Sequence, residues 1–156
     1  MTLKHEKIKV TQEKYYSDLY EKHGPDVHAV ASDKKIYKNL RYNKLCNLFN
    51  DDKSFSLHDI GFGLGHLYEY IQSDYPDKII EYSGSEVTKH FADHCQKKYP
   101  HFSFHYRDIA EKSYQDQYDY LIFSGTFYHL ANASQTQFQS FVHSILINAF
   151  QMCKKS

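Results

Sequence analysis

Residues 58–66 read HDIGFGLGH. Gly61, Gly63 and Gly65 alternate directly behind Asp59. A glycine inside a regular element costs roughly 0.5–1 kcal/mol relative to alanine, so such a cluster marks a backbone that something must approach closely. Upstream, FSLHDI (55–60) has the pattern of a short strand. Downstream, LGHLYEYIQSDYP (64–76) repeats Leu64, Leu67, Tyr68, Ile71 and Tyr75 at helical spacing. The stretch is therefore a strand-to-helix turn.

The same alternation continues on both sides. KIIEYSG (78–84) reads as a second strand, and VTKHFADHCQKKYP (87–100) as a helix with Val87, Phe91 and Cys95 on one face. HFSFHYRDI (101–109) alternates Phe102, Phe104 and Tyr106 against Ser103, His105 and Arg107. YDYLIFSG (118–125) is apolar at consecutive positions, as a strand buried on both faces is. A last helix over 134–153 carries Phe138, Phe141, Val142, Ile145, Leu146 and Ala149 on one face. Strands alternating with helices predict an α/β sandwich with a parallel sheet and right-handed crossovers. Before this core, residues 11–22 predict a helix with Tyr15, Tyr16, Leu19 and Tyr20 near one face, ended by His23-Gly24-Pro25. Ser32 or Asp33 then caps a second helix reaching Asn50, with Ile36, Tyr37, Leu40, Leu45, Leu48 and Phe49 at helical spacing. The chain divides into a helical cap (1–50) and an α/β core (51–156) within one domain.

Composition narrows the partners. Nineteen basic and nineteen acidic side chains balance to a formal net charge of zero in 156 residues. Neither a phosphate backbone nor an anionic membrane surface is the default partner of such a chain. Cys46, Cys95 and Cys153 are isolated and odd in number, which fits a reducing cytoplasm rather than a disulfide framework. There is no signal-peptide h-region at the N-terminus and no apolar run of membrane-spanning length. His90, His94 and Cys95 have a spacing that suits zinc, but no further ligand is spaced to complete the site, so no metal is expected.

In a sheet of this class, ligands sit at the carboxyl ends of the strands. Glycines there admit a ligand to the backbone, and the helix N-terminus offers unpaired N–H groups. The dinucleotide fingerprint is G-x-G-x-x-G, whereas the third glycine here arrives one residue early. The pattern D-x-G-x-G-x-G resembles instead the cofactor loop of the class I S-adenosylmethionine-dependent methyltransferases. Further matches follow in register. Glu86 ends the second strand where the family places an acid that receives both ribose hydroxyls. A carboxylate accepts two O–H donors and rejects a 2′-phosphate. Asp108 ends the third strand and resembles the acid that takes the adenine amino group, with Ile109 against the ring. Ser124, Gly125 and Thr126 close the fourth strand beside the methyl donor.

The resemblance covers roughly residues 55–130. It implies a Rossmann-like sheet in the order 3-2-1-4, with S-adenosylmethionine held by Asp59, Gly61, Phe62, Gly63, Gly65, Glu86, Val87, Asp108, Ile109, Ser124 and Gly125. Tyr16 and Arg41, on the N-terminal helices, are candidates for the methionine carboxylate, since arginine is the natural carboxylate fork. An exposed arginine on an amphipathic helix is the alternative for Arg41. Tyr20 and His23 are placed at the closing edge of the pocket. Thr126, Phe127 and Tyr128 stand where an acceptor enters, with His129 as the candidate base because imidazole alone among them titrates near neutrality. The acceptor implied is a small molecule. A non-catalytic cofactor-binding module and a nicotinamide oxidoreductase remain as rival readings, the second disfavoured by the early glycine.

The family sheet has seven strands in the order 3-2-1-4-5-7-6, and only four are matched here. YLIFSG would then be an edge strand without the lysines, prolines or bulges that protect edges. A longer chain, or another copy pairing through residues 119–124, is expected to complete the sheet.

Overall fold

The computed structural model describes residues 3–31, 35–49 and 51–154. Two helices, α1 (Leu3–His23) and α2 (Lys35–Cys46), precede a parallel α/β unit. That unit runs β1 (Ser54–Ile60), α3 (His66–Asp74), β2 (Ile79–Glu86), α4 (Lys89–Lys98), β3 (Ser103–Tyr106), β4 (Tyr120–Phe123) and α5 (Gln135–Gln151). The sheet has the order β3-β2-β1-β4 and every pairing is parallel, with Asp59 opposite Gly84 on one side and Ile122 on the other. The connection from β3 to β4 contains no helix.

Two cores flank the sheet. Leu57, Tyr82, Phe104 and Ile122 pack with Leu67 and Ile71 of α3 and Phe91 and Cys95 of α4. On the other face, Ile60 meets Phe141, Ile145 and Ala149 of α5, together with Ile8 of α1. The capping box of Ser134 and Gln137 starts α5, satisfying backbone donors that would otherwise be orphaned. Leu146, expected on its buried face, is 46% exposed.

The N-terminal helices depart further from the sequence expectation. α1 begins at Leu3, and its buried positions are His5, Ile8 and Gln12 rather than the tyrosines. In α2, Tyr37, Leu40 and Leu48 beyond its end are all more than half exposed (57–63%), while Lys38, Tyr42 and Cys46 face inward. The spacing i, i+4, i+8 selects that stripe, and the helix turns Tyr42 and Cys46 into the apolar core, Tyr42 against Tyr70 of α3, while Lys38 reaches the cavity. Ser32, Asp33 and Asn50, the expected boundaries, lie outside the described residues.

α1 spans the top of the sheet. His5 sits edge-on to Phe141 of α5, and Tyr16 and Tyr20 lie against Phe91 of α4. The helix thus crosses over the carboxyl ends of the strands. β4 is less buried than its apolar sequence predicts, with Ile122 its one fully buried residue. Among the described residues it pairs along Tyr120–Phe123 with β1 alone. After α5 the chain returns alongside its start, where Tyr118 and Cys153 form one parallel bridge.

Candidate functional site

The turn after β1 explains the alternating glycines. Gly61, Gly63 and Gly65 have φ of +78°, +56° and +77°, in the left-handed region that side-chain-bearing residues rarely adopt. Space restricts them as well: a Cβ on Gly61 would stand 2.8 Å from Thr126 Oγ1, whose hydroxyl donates to the Ile60 carbonyl at 2.7 Å. Gly84 on β2 makes room for the loop, since a Cβ there would lie 2.3 Å from Phe62. The loop therefore folds down onto β2, leaving Gly61, Phe62, Gly63 and Leu64 on the wall of a cavity of about 1120 Å³, open mouth included.

Two acids stand on the same wall. Glu86, at the end of β2, is 7% exposed, and its carboxylate accepts from the backbone N–H of Gly63 (3.0 Å), Val87 (2.8 Å) and Thr88 (3.0 Å). Burial pushes its pKa up against these donors. Asp108, two residues past β3, is 3% exposed; one oxygen accepts from Ala110 N–H at 2.8 Å. Its other oxygen, Oδ2, is buried without a hydrogen-bond partner. An orphaned carboxylate oxygen beside a cavity is an acceptor that lacks its donor. Val87 and Ile109 also line the cavity, as do Ser124, Gly125, Thr126, Phe127 and Tyr128 from the end of β4.

The opposite wall is helical. Gln12 and Tyr16 of α1 and Lys38, Arg41 and Tyr42 of α2 line it. Arg41 Nε donates to Ser124 Oγ at 3.0 Å, tying α2 to the end of β4. Burial raises the Tyr16 phenol to about 12 and pushes that of Tyr42 up as well, so both remain hydrogen-bond donors at neutral pH.

Five expected site residues stand outside the cavity lining. Asp59 is enclosed beneath the loop, 1% exposed, where one oxygen accepts from Tyr82 O–H at 2.7 Å; its side chain supports the sheet rather than facing the cavity. Gly65 caps α3 and faces Tyr99 and Cys95. Tyr20 stacks on His90 with 5.3 Å between centroids, and His23 lies at the exposed end of α1 beside His28. His129 stacks flat on Tyr15 at 4.2 Å, and its carbonyl accepts from Gln12 Nε2 at 2.7 Å. The expected base is thus packed beneath α1, because a fourteen-degree interplanar stack holds the ring against that helix.

Other lining residues escaped the sequence reading: Lys38, Tyr42, His66, Phe91 and Arg107 among them. Lys38 was concealed because an apolar face was expected for α2; the mixed stripe Lys38-Tyr42-Cys46 was the available signal. His66 opens α3, and burial together with Lys38 lowers its pKa, leaving a neutral imidazole on the cavity wall. Arg107 is anchored by Ser85 Oγ (2.7 Å) and Asp116 (2.8 Å), with its guanidinium 4.1 Å over the Tyr114 ring.

Neither protein-family models nor curated protein sequences match the chain. Solved structures do match. NodS, an N-methyltransferase from Bradyrhizobium japonicum WM9 crystallised with S-adenosyl-L-homocysteine, superposes with a TM-score of 0.63 at 17% identity, over 90% of this chain and 68% of its own. Coclaurine N-methyltransferase gives 0.58 at 13%, over 80% of this chain and 34% of its own. A putative S-adenosyl-L-methionine-dependent methyltransferase from Methanococcus maripaludis gives 0.56 at 14%, over 94% and 58%. The chain therefore spans about a third to two thirds of the length of these proteins.

Proposed function

We infer that the fold, a parallel sheet in the order 3-2-1-4 with helices on both faces, serves here as it does in the class I S-adenosylmethionine-dependent methyltransferases, whose fold it shares. We propose that the cavity binds S-adenosylmethionine and that the protein transfers its methyl group to a small-molecule acceptor. The observation that carries this reading is the unpartnered Asp108 Oδ2 at the cavity, in register with Glu86 and the glycine loop. An adenine amino group supplies the donor that Asp108 lacks. Glu86, with three of its roughly four lone-pair sites taken by backbone donors, keeps one on Oε2 for a ribose hydroxyl. Gly61 and Gly63 let the ligand reach the backbone, while Arg41 and Tyr16 are the donors for a carboxylate.

The cofactor supplies an activated methyl on a sulfonium. The chain supplies position and exclusion of water, which are large parts of a displacement barrier. His66 replaces His129 as candidate proton acceptor for an acceptor hydroxyl or ammonium: its imidazole is neutral and lines the cavity. The same reading gives the outer edge of β4 a further strand, continuing from the Tyr118–Cys153 bridge; native mass spectrometry measures whether a second copy supplies it.

Calorimetry with S-adenosylhomocysteine and with NAD tests the reading. Binding of the first and not the second is expected, and Glu86→Ala is expected to weaken it by about 1–3 kcal/mol, the range for hydrogen bonds to a charged group. Preference for NAD, or an unchanged affinity in a folded Glu86→Ala protein, overturns it. Turnover with a panel of metabolites then separates an active enzyme from a binding module.

A further inference from the structure

We propose that Arg107 is a positioning residue for the adenine-binding acid: its guanidinium staples the connection after β3 to the sheet and so aims the free oxygen of Asp108. This inference rests on the cofactor reading above.

Asp108 stands where the sheet stops supporting the chain. β3 ends at Tyr106, and just beyond it Arg107 N–H donates to the Glu86 carbonyl at 3.0 Å. Residues 107–119 then reach β4 with neither helix nor strand. A crossover between parallel strands usually carries a helix, whose apolar face would hold the connection on the sheet. The sheet face beneath this one is polar instead. The buried His58 ring stands between the hydroxyls of Ser83 (2.7 Å) and Ser85 (2.8 Å), and Tyr118 stacks on it at 4.3 Å. The connection is therefore held by specific polar and aromatic ties rather than by an apolar layer.

Arg107 gathers several of those ties at one point. Its Nε donates to Ser85 Oγ at 2.7 Å and its Nη1 to Asp116 Oδ2 at 2.8 Å, while Nη2 lies 3.4 Å from His58 Nε2. The guanidinium also covers the Tyr114 ring at 4.1 Å. One planar group thus joins β1 and β2 to two residues of the connection, which a rigid fork of donors can do and a lysine ammonium cannot. Its side chain is 11% exposed, so it is an enclosed cation whose carboxylate partner matters. Arg107 and Ser85 line the cavity beside Asp108. The other ties of Asp108 stay within its own turn or lead to α5. Its Oδ1 accepts from Ala110 N–H at 2.8 Å, its carbonyl from Glu111 N–H at 3.3 Å, and Asn148 donates to the next carbonyl, that of Ile109, at 2.7 Å. Arg107 joins the turn to β2, whose last residue is Glu86. The spacing of the two acids, and with it their fit to one nucleoside, depends on that joint.

S-adenosylhomocysteine and its deamino analogue, which keeps the purine ring and lacks the amino donor, are the probes. By calorimetry the wild-type protein is expected to bind the amino form about tenfold more tightly, because the analogue leaves Asp108 Oδ2 unpaired. In Arg107→Met that ratio is expected to fall to about threefold or less. A variant that is merely destabilised loses affinity for both ligands alike and keeps the ratio. Asp116→Asn, at a half-exposed position, is expected to lower the ratio by about twofold, and it decides the matter where Arg107→Met folds poorly. An unchanged ratio in either folded variant overturns the proposal, as does equal affinity of the wild-type protein for the two ligands. Hydrogen exchange in the ligand-free protein gives a second measure. Arg107→Met is expected to speed exchange of Ala110 N–H, which Asp108 holds, about tenfold more than that of Gly63 N–H, which Glu86 holds. Equal acceleration of the two overturns the proposal. Failure of S-adenosylhomocysteine to bind removes the cofactor reading instead, and the exchange at Ala110 then decides whether Arg107 fixes Asp108.

Discussion

The two walls of the cavity are built by different means. On the sheet wall, position follows from the backbone: Glu86 is fixed by the N–H groups of Gly63, Val87 and Thr88, and the loop is fixed by glycine geometry and by Gly61 N–H donating to the Ser85 carbonyl at 2.8 Å. On the helical wall, position follows from side chains reaching across long sequence separations. Gln12 reaches the His129 carbonyl, Arg41 reaches Ser124, and Tyr15 stacks on His129. Backbone hydrogen bonds come with the strand-turn-helix unit itself, whereas side-chain ties are each worth on the order of 1 kcal/mol and are made only after packing. The sheet wall is therefore set by backbone geometry and the helical wall by tertiary side-chain contacts.

The largest expected effect lies at the root of the sheet wall, where neighbouring residues of β1 face opposite cores. Both ring nitrogens of His58 pair with serine hydroxyls, Ser83 at 2.7 Å and Ser85 at 2.8 Å, while Asp59 keeps one unpartnered oxygen. Burial moves the two in opposite senses, His58 down to about 3 and Asp59 up to about 7. As pH falls below about 6.5, the unfolded chain protonates His58 and the folded one does not, so that residue removes stability on acidification. Between about pH 7 and 4, folded Asp59 holds a proton that the unfolded chain releases, so that residue adds stability on acidification. The two slopes, each about 1.4 kcal/mol per pH unit, oppose one another from about pH 6.5 to 4. Asp59→Asn removes one of them. Relative to the wild-type protein, its unfolding free energy is expected to fall as pH is lowered through this window, measured by urea titration at each pH. A constant difference between the two proteins would break the assignment.

A smaller contrast compares the walls directly. Asp108→Ala, on the sheet side, is expected to weaken S-adenosylhomocysteine binding by about 1–3 kcal/mol, and Tyr16→Phe, on the helical side, by about 0.5–1.5 kcal/mol. Calorimetry that ranks them in the reverse order would show that the helical wall holds the cofactor. The smallest effect concerns His129. Its stack on Tyr15 predicts a loss of about 0.5–1.5 kcal/mol of stability in His129→Ala, with S-adenosylhomocysteine affinity unchanged. Thermal unfolding and calorimetry on one sample check both, and loss of affinity without loss of stability would return His129 to the site.

The residues explain why one wall was legible and the other was not. Gly61, Gly63, Glu86, Val87, Asp108, Ile109, Ser124 and Gly125 each end or follow a strand, and strand ends are fixed by alternation and by turn residues that act over a few positions. All of them reach the cavity lining. Asp59 lies one residue before the end of the same strand and points away from the cavity, because side chains alternate across a strand. Tyr20, His23 and His129 sit on α1 or in the loop after β4, where nothing local fixes direction.

By itself, then, the amino-acid order specified the parallel α/β unit and the glycine turn, since periodicity and glycine act locally, whereas the strand order followed only from resemblance to a known family. Only the tertiary structure decided which stripe of α2 turns inward. An apolar stripe of Tyr37, Leu40 and Leu48 and a mixed stripe of Lys38, Tyr42 and Cys46 both satisfy helical spacing. The choice depends on what the helix packs against, and here Tyr42 and Cys46 join the apolar core while Lys38 and Arg41 come to the cavity wall.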